Sequence, residues 1–127
     1  MLLTKERDYA MRVVWALCDM KQHTVKDICD KEFVPLDFAY KILKKLEHNG
    51  ITRSTRGRNG GYSLAKPPSK ISMLDVLLAI DSRLFISDDV EGRSNKNRKR
   101  CRISEEFGML QGSWVDSLRE RTLDKLA

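Results

Sequence analysis

The stretch from Pro35 to Tyr62 carries lysines and arginines with a spacing typical of a surface that binds a polyanion. Its first half has helical periodicity, and the face opposite the apolar stripe carries Asp37, Lys41, Lys44 and His48, flanked by Tyr40 and Lys45. Its second half combines arginines and glycines, namely Arg53, Arg56 and Arg58 with Gly57, Gly60 and Gly61. A basic helix followed by an arginine-bearing hairpin suits a DNA groove and the phosphates beside it. The alternative interpretation is an ordinary solvated helix and hairpin.

Capping residues mark the helices that must hold this stretch in place. Thr4 predicts the start of a first helix, which we expect to reach about Met20. Thr24, with Asp27 three residues on, predicts the start of a second, short helix. Pro35 suits the first turn of the third, basic helix. Two short helices in succession, the second basic on its outer face, predict a helix-turn-helix.

The hairpin and a fourth helix complete the first domain, which we place at residues 1–81. Pro67 and Pro68 end the hairpin, because proline cannot continue a paired strand. Ser72 with Asp75 predicts the cap of the fourth helix. The predicted fold is mostly α with a small two-stranded β wing, that is, a winged helix-turn-helix followed by a long C-terminal dimerisation helix.

That last helix follows residues 82–103, which carry a run of charges typical of a flexible loop. Ser104 predicts its cap, and we assign residues 104–127 to the helix and a short tail. Its apolar stripe consists of Phe107, Leu110, Trp114 and Leu118. Because the loop should detach the helix from the core, we expect the stripe to be covered by a second copy of the chain.

Length and composition exclude several classes of protein. The chain has 127 residues and a net charge of +6, which favours a polyanionic partner. No segment approaches the ~18 apolar residues of a membrane span, and charged residues interrupt any secretory signal. The three cysteines, Cys18, Cys29 and Cys101, are far apart in sequence, so we expect a reducing, cytoplasmic location without disulfides. No base–nucleophile pair is evident, so we expect no enzyme activity.

Five stretches of the sequence resemble a known family. They are the opening MLLTKERDYAMRVVWAL, the basic recognition helix that follows Pro35, the wing pattern SxRGxxGGYxLAxPP from Ser54 to Pro68, the IxMxDVLxAI helix and the terminal TLDKL. Nearly end to end, the chain resembles the winged-helix repressors that include IscR, NsrR and CymR. The resemblance implies a homodimer on a palindromic operator, with the recognition helix in the major groove and a wing arginine in the minor groove.

The resemblance also assigns individual residues. The wing arginine is Arg56, and the recognition positions are Asp37, Phe38, Tyr40 and Lys41. The cluster-binding IscR type has a glutamate at the position of Tyr40, which leaves the base preference of this chain open. With the other residues of the basic stretch, the expected DNA-binding set is Asp37, Phe38, Tyr40, Lys41, Lys44, Lys45, His48, Arg53, Arg56, Arg58 and Asn59.

The resemblance does not extend to the cofactor site. Cluster-binding relatives carry three cysteines in the loop before the dimer helix, whereas this loop contains only Cys101. Asp8 matches an acidic residue that ligates the cluster from the partner subunit in some relatives, and Ser104 stands where some have a histidine. One thiolate and one carboxylate fall short of the four ligands an iron–sulfur cluster usually needs, so we expect no cluster and no metal. Cys101 and Asp8 then form either a redox site or the vestige of a lost cluster site.

A DNA-binding transcriptional regulator, acting as a repressor, is therefore the favoured function. An RNA- or ribosome-associated winged helix would use the same basic surface. The lack of exposed aromatic residues interleaved with basic ones argues against it, because readers of single-stranded RNA stack bases on such residues. The sequence does not indicate the operator, the regulated genes or the signal.

Overall fold

The computed structural model describes residues 4–58, 60–83 and 102–126. These ranges contain five α-helices and one antiparallel two-stranded sheet. In chain order they are α1 (Lys5–Ala16), α2 (Val25–Glu32), α3 (Leu36–His48), β1 (Thr52–Thr55), β2 (Gly61–Leu64), α4 (Met73–Ile80) and α5 (Arg102–Glu120). Short 3-10 helices lie at Pro68–Lys70 and Leu123–Leu126. The predicted winged helix-turn-helix with a long C-terminal helix is confirmed.

Side-chain caps start three of the helices, as predicted. Thr4 and Thr24 each accept a hydrogen bond from the backbone N–H three residues on, at 3.3 and 3.1 Å. At α4, Ser72 accepts from the N–H of Asp75 at 3.1 Å, and the Asp75 carboxylate accepts from the N–H of Ser72 at 3.0 Å. This reciprocal capping box satisfies two donors that the helix itself leaves unpaired.

Two boundaries differ from the predictions. α1 ends at Ala16 rather than near Met20, and Met20 has a left-handed φ of 63°. The chain turns there because the backbone of His23 must run beside Tyr62 of β2, with which it pairs. Pro35 is the N-cap of α3, with an extended ψ of 140°, and does not lie in the first helical turn.

The hydrophobic core lies among α1, α3 and α4. Eight apolar residues of this core are fully buried: Ala10, Val13 and Val14 of α1 with Leu17 just after it, and the α3 stripe of Ala39, Ile42, Leu43 and Leu46. Burial of the α3 stripe fixes the rotation of that helix, since a helix with one apolar stripe can pack in only one orientation. The basic face of α3 is thereby turned to solvent.

The C-terminal helix begins at Arg102, so the predicted cap at Ser104 is wrong. Neither proline nor glycine interrupts the chain between Arg102 and Phe107, and Ser104 lies inside the first turns of α5. Among the described residues, no helix is long and apolar enough to cross a membrane.

The expectation that the last helix is detached from the core is also wrong. Leu123, just after α5, is 1% exposed and belongs to the same core as α1 and α3. Its N–H donates to the Ile71 carbonyl at 2.9 Å, and the Met73 N–H donates to the Arg121 carbonyl at 2.8 Å. These bonds attach the C-terminal end of α5 to the start of α4.

Candidate nucleic-acid interface

The outer face of α3 presents the predicted basic surface. Asp37, Lys41, Lys44 and His48 are all exposed, and they lie opposite the buried stripe. Gly50 ends the helix with a φ of 75°, and the Ile51 N–H donates back to the Leu46 carbonyl at 3.0 Å. This left-handed ending leads directly into β1 and sets the wing beside the helix.

The flank of α3 that faces α1 differs from the prediction. The ring of Phe38 makes an edge contact with Tyr9 of α1, with centroids 5.2 Å apart. The Lys45 ammonium lies 2.8 Å from Glu6 Oε1 and 3.2 Å from the Ile80 carbonyl oxygen. Lys45 is thus held between α1 and the end of α4, and its predicted phosphate contact stays a prediction.

The opposite flank of α3 faces the wing. Tyr40 is 48% exposed there. The Ser54 hydroxyl of β1 donates to Glu47 Oε1 at 2.7 Å. Burial raises the pKa of the Tyr62 hydroxyl above its ordinary value, and the nearby Glu47 carboxylate and Tyr40 raise it further. Helix and wing therefore form one continuous surface around this junction.

Tyr40 also corrects part of the argument against RNA. It is an exposed aromatic ring on the same helix as the exposed Lys41 and Lys44, so aromatic and basic residues do alternate on this surface. Base stacking is thus available to it in principle.

The wing presents its arginines to solvent. In the hairpin, Thr52 pairs with Leu64 and Thr55 with Gly61, and Arg53, Arg56 and Arg58 are all exposed. The turn requires glycine at two places. Gly57 has a φ of 115°, and a Cβ at Gly60 would lie 2.6 Å from the Thr55 carbonyl oxygen. Asn59, the remaining predicted contact in the wing, lies outside the described residues.

The base of the wing is fixed by a residue that the sequence did not single out. His23 pairs with Tyr62 through two backbone hydrogen bonds of 2.9 and 2.8 Å, and a Cβ at Gly61 would overlap the His23 carbonyl. The His23 imidazole lies 2.8 Å from the Asp19 carboxylate. Partial burial opposes ionisation of Asp19, but hydrogen bonds from the Lys21 N–H and from His23 hold its pKa below the ordinary value.

Carbonyl groups at the end of α4 are bound by side chains from α1 and α3. The Arg7 guanidinium, on a residue that is 2% exposed, donates to the carbonyls of Asp81 and Arg83 at 3.0 and 2.6 Å. Asn49 donates to the Ala79 carbonyl at 3.5 Å. A cation is favourable at a helix C-terminus because the carbonyl dipoles point there. The sequence could have indicated that Arg7 is buried, because Arg7 lies on the same helical face as the buried Ala10 and Val14.

The predicted dimerisation stripe divides into two parts. Phe107, Leu110 and Trp114 are 36%, 49% and 49% exposed in the single chain. Leu118, by contrast, packs against Leu74 and Leu77 of α4 in the same chain. Intrachain packing therefore accounts for Leu118, and only the N-terminal part of the stripe remains to be covered.

The remaining predicted site concerns cysteine and metal chemistry. Burial raises the pKa of the Cys18 thiol above its ordinary value, and Asp19 adds to this effect. Burial also raises the pKa of Cys29, with a further contribution from Asp30. Cys101 lies outside the described residues.

The described residues do not fit the donor set of an iron–sulfur cluster. The exposed Asp8 carboxylate lies 3.2 Å from the Arg12 guanidinium, which occupies it in an ion pair. Within residues 4–58, 60–83 and 102–126, no three His, Cys, Asp or Glu side chains come together as a metal site. The expected absence of a cluster stays a prediction.

Sequence comparisons place this architecture among transcriptional regulators. The sequence model of the Rrf2 family, described as an iron-dependent transcriptional regulator, matches residues 3–127. A Mycobacterium tuberculosis (strain H37Rv) protein named as an HTH-type transcriptional regulator is 31% identical over 131 residues, covering 100% of this chain and 81% of that protein. The HTH-type transcriptional regulator IscR of Pectobacterium atrosepticum is 28% identical over 132 residues, covering 99% and 79%.

A solved structure has the same fold. CymR of Bacillus subtilis, described as the global cysteine regulator, superposes with a TM-score of 0.84 at 17% identity. The match covers 100% of this chain and 96% of that one. At this identity the similarity shows the fold alone.

Proposed function

The chain belongs to the Rrf2 family of transcriptional regulators, and we propose that it represses transcription by binding a palindromic DNA operator as a homodimer. The observation that carries this proposal is the position of two exposed basic surfaces side by side. The outer face of α3 adjoins a wing that bears exposed Arg53, Arg56 and Arg58. A helix of this width fits the major groove, and a narrow arginine-bearing hairpin fits the adjacent minor groove.

Each part of the surface has a distinct role. Tyr40 and Lys41, near the N-terminal end of α3, contact base edges, because that end of a recognition helix enters the groove. Lys44 and Arg58 contact phosphates, which position the protein without reading sequence. Arg56 enters the minor groove, where a narrow A·T-rich segment concentrates negative potential.

A homodimer follows from the uncovered part of α5. Phe107, Leu110 and Trp114 form an exposed apolar stripe, and a second copy of the chain supplies an identical stripe related by a two-fold axis. Two recognition helices then face the same side of the duplex, one helical turn of DNA or a multiple of it apart. This symmetry is why we expect the operator to be palindromic.

Signal sensing is the least constrained part of the proposal. Cys101 is the only cysteine in residues 82–103, and in the sequence it directly precedes α5. Its oxidation would change charge and bulk next to the helix that joins the two subunits. The alternative is that Cys101 remains from a lost cluster site and has no regulatory role.

Selection from random DNA duplexes tests the proposed function directly. Full-length protein should enrich a palindrome whose half-sites are separated by one or more helical turns, and a structured RNA competitor should not displace that duplex. Enrichment of no duplex, or a preference for the RNA, would contradict the proposal and support the RNA-binding alternative. Anaerobic reconstitution with iron and sulfide, read by absorbance and iron content, should yield no cluster.

A further inference from the structure

Two side chains that the DNA-binding assignment leaves out connect the recognition helix to the wing. The Ser54 hydroxyl of β1 donates to Glu47 Oε1 of α3 at 2.7 Å. Both residues are exposed, so the contact lies on the surface shared by α3 and the wing and not in the core. An acidic side chain there is unfavourable for binding DNA by itself, because it repels phosphates.

The bond occupies a particular place along the wing. Side chains alternate between the two faces of a strand, so Thr52 and Ser54 share the face of β1 that is turned to α3. Thr52 is 3% exposed and donates to the Leu43 carbonyl at 3.4 Å, which anchors the foot of the wing. Ser54 makes the second tie two residues further out. The His23–Tyr62 backbone pairing also holds the hairpin, and the Ser54 bond adds a side-chain tie to α3 two residues before Arg56.

We propose that Glu47 is a positioning residue for DNA recognition: by holding Ser54 it fixes the distance between the recognition helix and Arg56. The proposal rests on the proposed DNA-binding function and adds a determinant of specificity to it. A rigid distance between α3 and the wing tip allows the major-groove and minor-groove contacts to be made in one register only. The protein should then bind less tightly to duplexes in which the major-groove and minor-groove sequences are offset from each other.

Loss of the Glu47 charge and loss of its hydrogen bond should affect DNA binding in different ways. Variants that remove one without the other therefore distinguish the proposed positioning role from simple repulsion of phosphates. Glu47→Gln removes the negative charge but keeps an amide oxygen that can accept from Ser54. Glu47→Ala removes both, and Ser54→Ala removes only the donor. Ser63→Ala is the matched control, because Ser63 pairs with Arg53 on the face of the hairpin turned away from α3.

The test uses full-length protein and the duplex that the wild type selects, together with a version whose minor-groove segment is shifted by one base pair. Glu47→Ala and Ser54→Ala should each reduce discrimination between the two duplexes about fivefold, the effect of one typical net hydrogen bond. The double variant should lose no more than either single variant. Glu47→Gln and Ser63→Ala should discriminate like the wild type, and Glu47→Gln should bind both duplexes more tightly.

Three results would overturn the proposal: full discrimination in Ser54→Ala, loss of discrimination in Glu47→Gln, or additive losses in the double variant. Amide hydrogen exchange of residues 52–64 in the free protein gives a second readout that does not depend on DNA. Exchange should quicken in Ser54→Ala and Glu47→Ala but not in Glu47→Gln. If the wild type selects no duplex, the proposed DNA-binding function is wrong. If amide exchange is unchanged in both alanine variants, the proposed tie between helix and wing is wrong, whatever the outcome of the DNA-binding experiment.

Discussion

Lys45 is bound to Glu6 across the junction of α3 and α1, with its ammonium 2.8 Å from the carboxylate. The same ammonium reaches the Ile80 carbonyl at 3.2 Å, so one side chain joins three helices. Its neighbour Lys44 is exposed on the outer face. Two consecutive lysines of the recognition helix therefore differ in their surroundings: Lys45 is held between helices, and Lys44 is exposed.

This difference predicts opposite effects for two adjacent substitutions. Lys45→Ala should lower the free energy of unfolding by about 1–2 kcal/mol, because it removes two charge-assisted hydrogen bonds that are partly screened by solvent. It should leave the salt dependence of DNA binding nearly unchanged. Lys44→Ala should leave stability unchanged and reduce the slope of log K against log salt by about one. Urea unfolding and binding titrations at several salt concentrations measure both quantities, and equal slopes in the two variants would contradict the assignment.

Arg56→Ala should relax the preference at the minor-groove positions of the operator. In the proposed complex the arginine reads groove width through the enhanced potential of a narrow A·T-rich segment, so its loss should cost A·T-rich sites about 1–3 kcal/mol more than G·C-rich ones. Arg58→Ala is the control in the same turn and should weaken all duplexes alike. Competition binding with operators that differ only in the minor-groove segment provides the measurement. If both variants lost the same affinity for every duplex, Arg56 would have no role in sequence recognition.

Substitutions at Trp114 and Leu118 should have different effects, the first on dimer formation and the second on the stability of the single chain. Trp114→Ala should shift the protein toward monomer and weaken DNA binding, since the ring is exposed in the single chain and needs a partner surface. Leu118→Ala should chiefly destabilise the chain, by about 2 kcal/mol, because Leu118 packs on α4 and is only partly buried. Sedimentation and thermal unfolding distinguish the two effects. A Trp114→Ala protein that stays dimeric would place the interface elsewhere.

Much of the DNA-facing surface followed from the sequence because it depends on local rules. The 3.6-residue period of Ala39, Ile42 and Leu46 determines which face of α3 is buried, whatever the rest of the chain does. Capping by Thr4 and Ser72 likewise involves residues three positions apart. These features need no knowledge of distant contacts.

Several features that the sequence did not predict depend on distant contacts. Lys45 lies on a flank of α3, and periodicity cannot say whether a flank meets solvent or, as here, Glu6. The docking of α5 depends on Leu123 reaching Ile71 through backbone atoms, which leave no pattern in side-chain types. Leu118 was assigned to the dimer because the helix was treated as detached from α4.

The three cysteines should differ in reactivity. Burial raises the pKa values of Cys18 and Cys29, so at neutral pH both are thiols almost entirely, and their thiolates form only at higher pH than in a free peptide. A thiol must ionise before it reacts, so both should alkylate slowly near pH 7 and more quickly as the pH rises. They provide internal references for the remaining cysteine.

Cys101 should alkylate faster than either reference, because Lys99, Arg100 and Arg102 surround it in sequence and cations favour the thiolate. Mild peroxide should then lower the affinity of the wild-type protein for its operator, while Cys101→Ser should bind equally well before and after treatment. The physical reason is that a sulfenic acid or mixed disulfide would form at the residue that directly precedes α5 in the sequence, next to the predicted dimer contact. Alkylation rates by mass spectrometry and operator binding before and after peroxide measure the two effects. If Cys101 reacts no faster than a free thiol and peroxide leaves binding unchanged, the cysteine is a vestige and another signal controls the repressor.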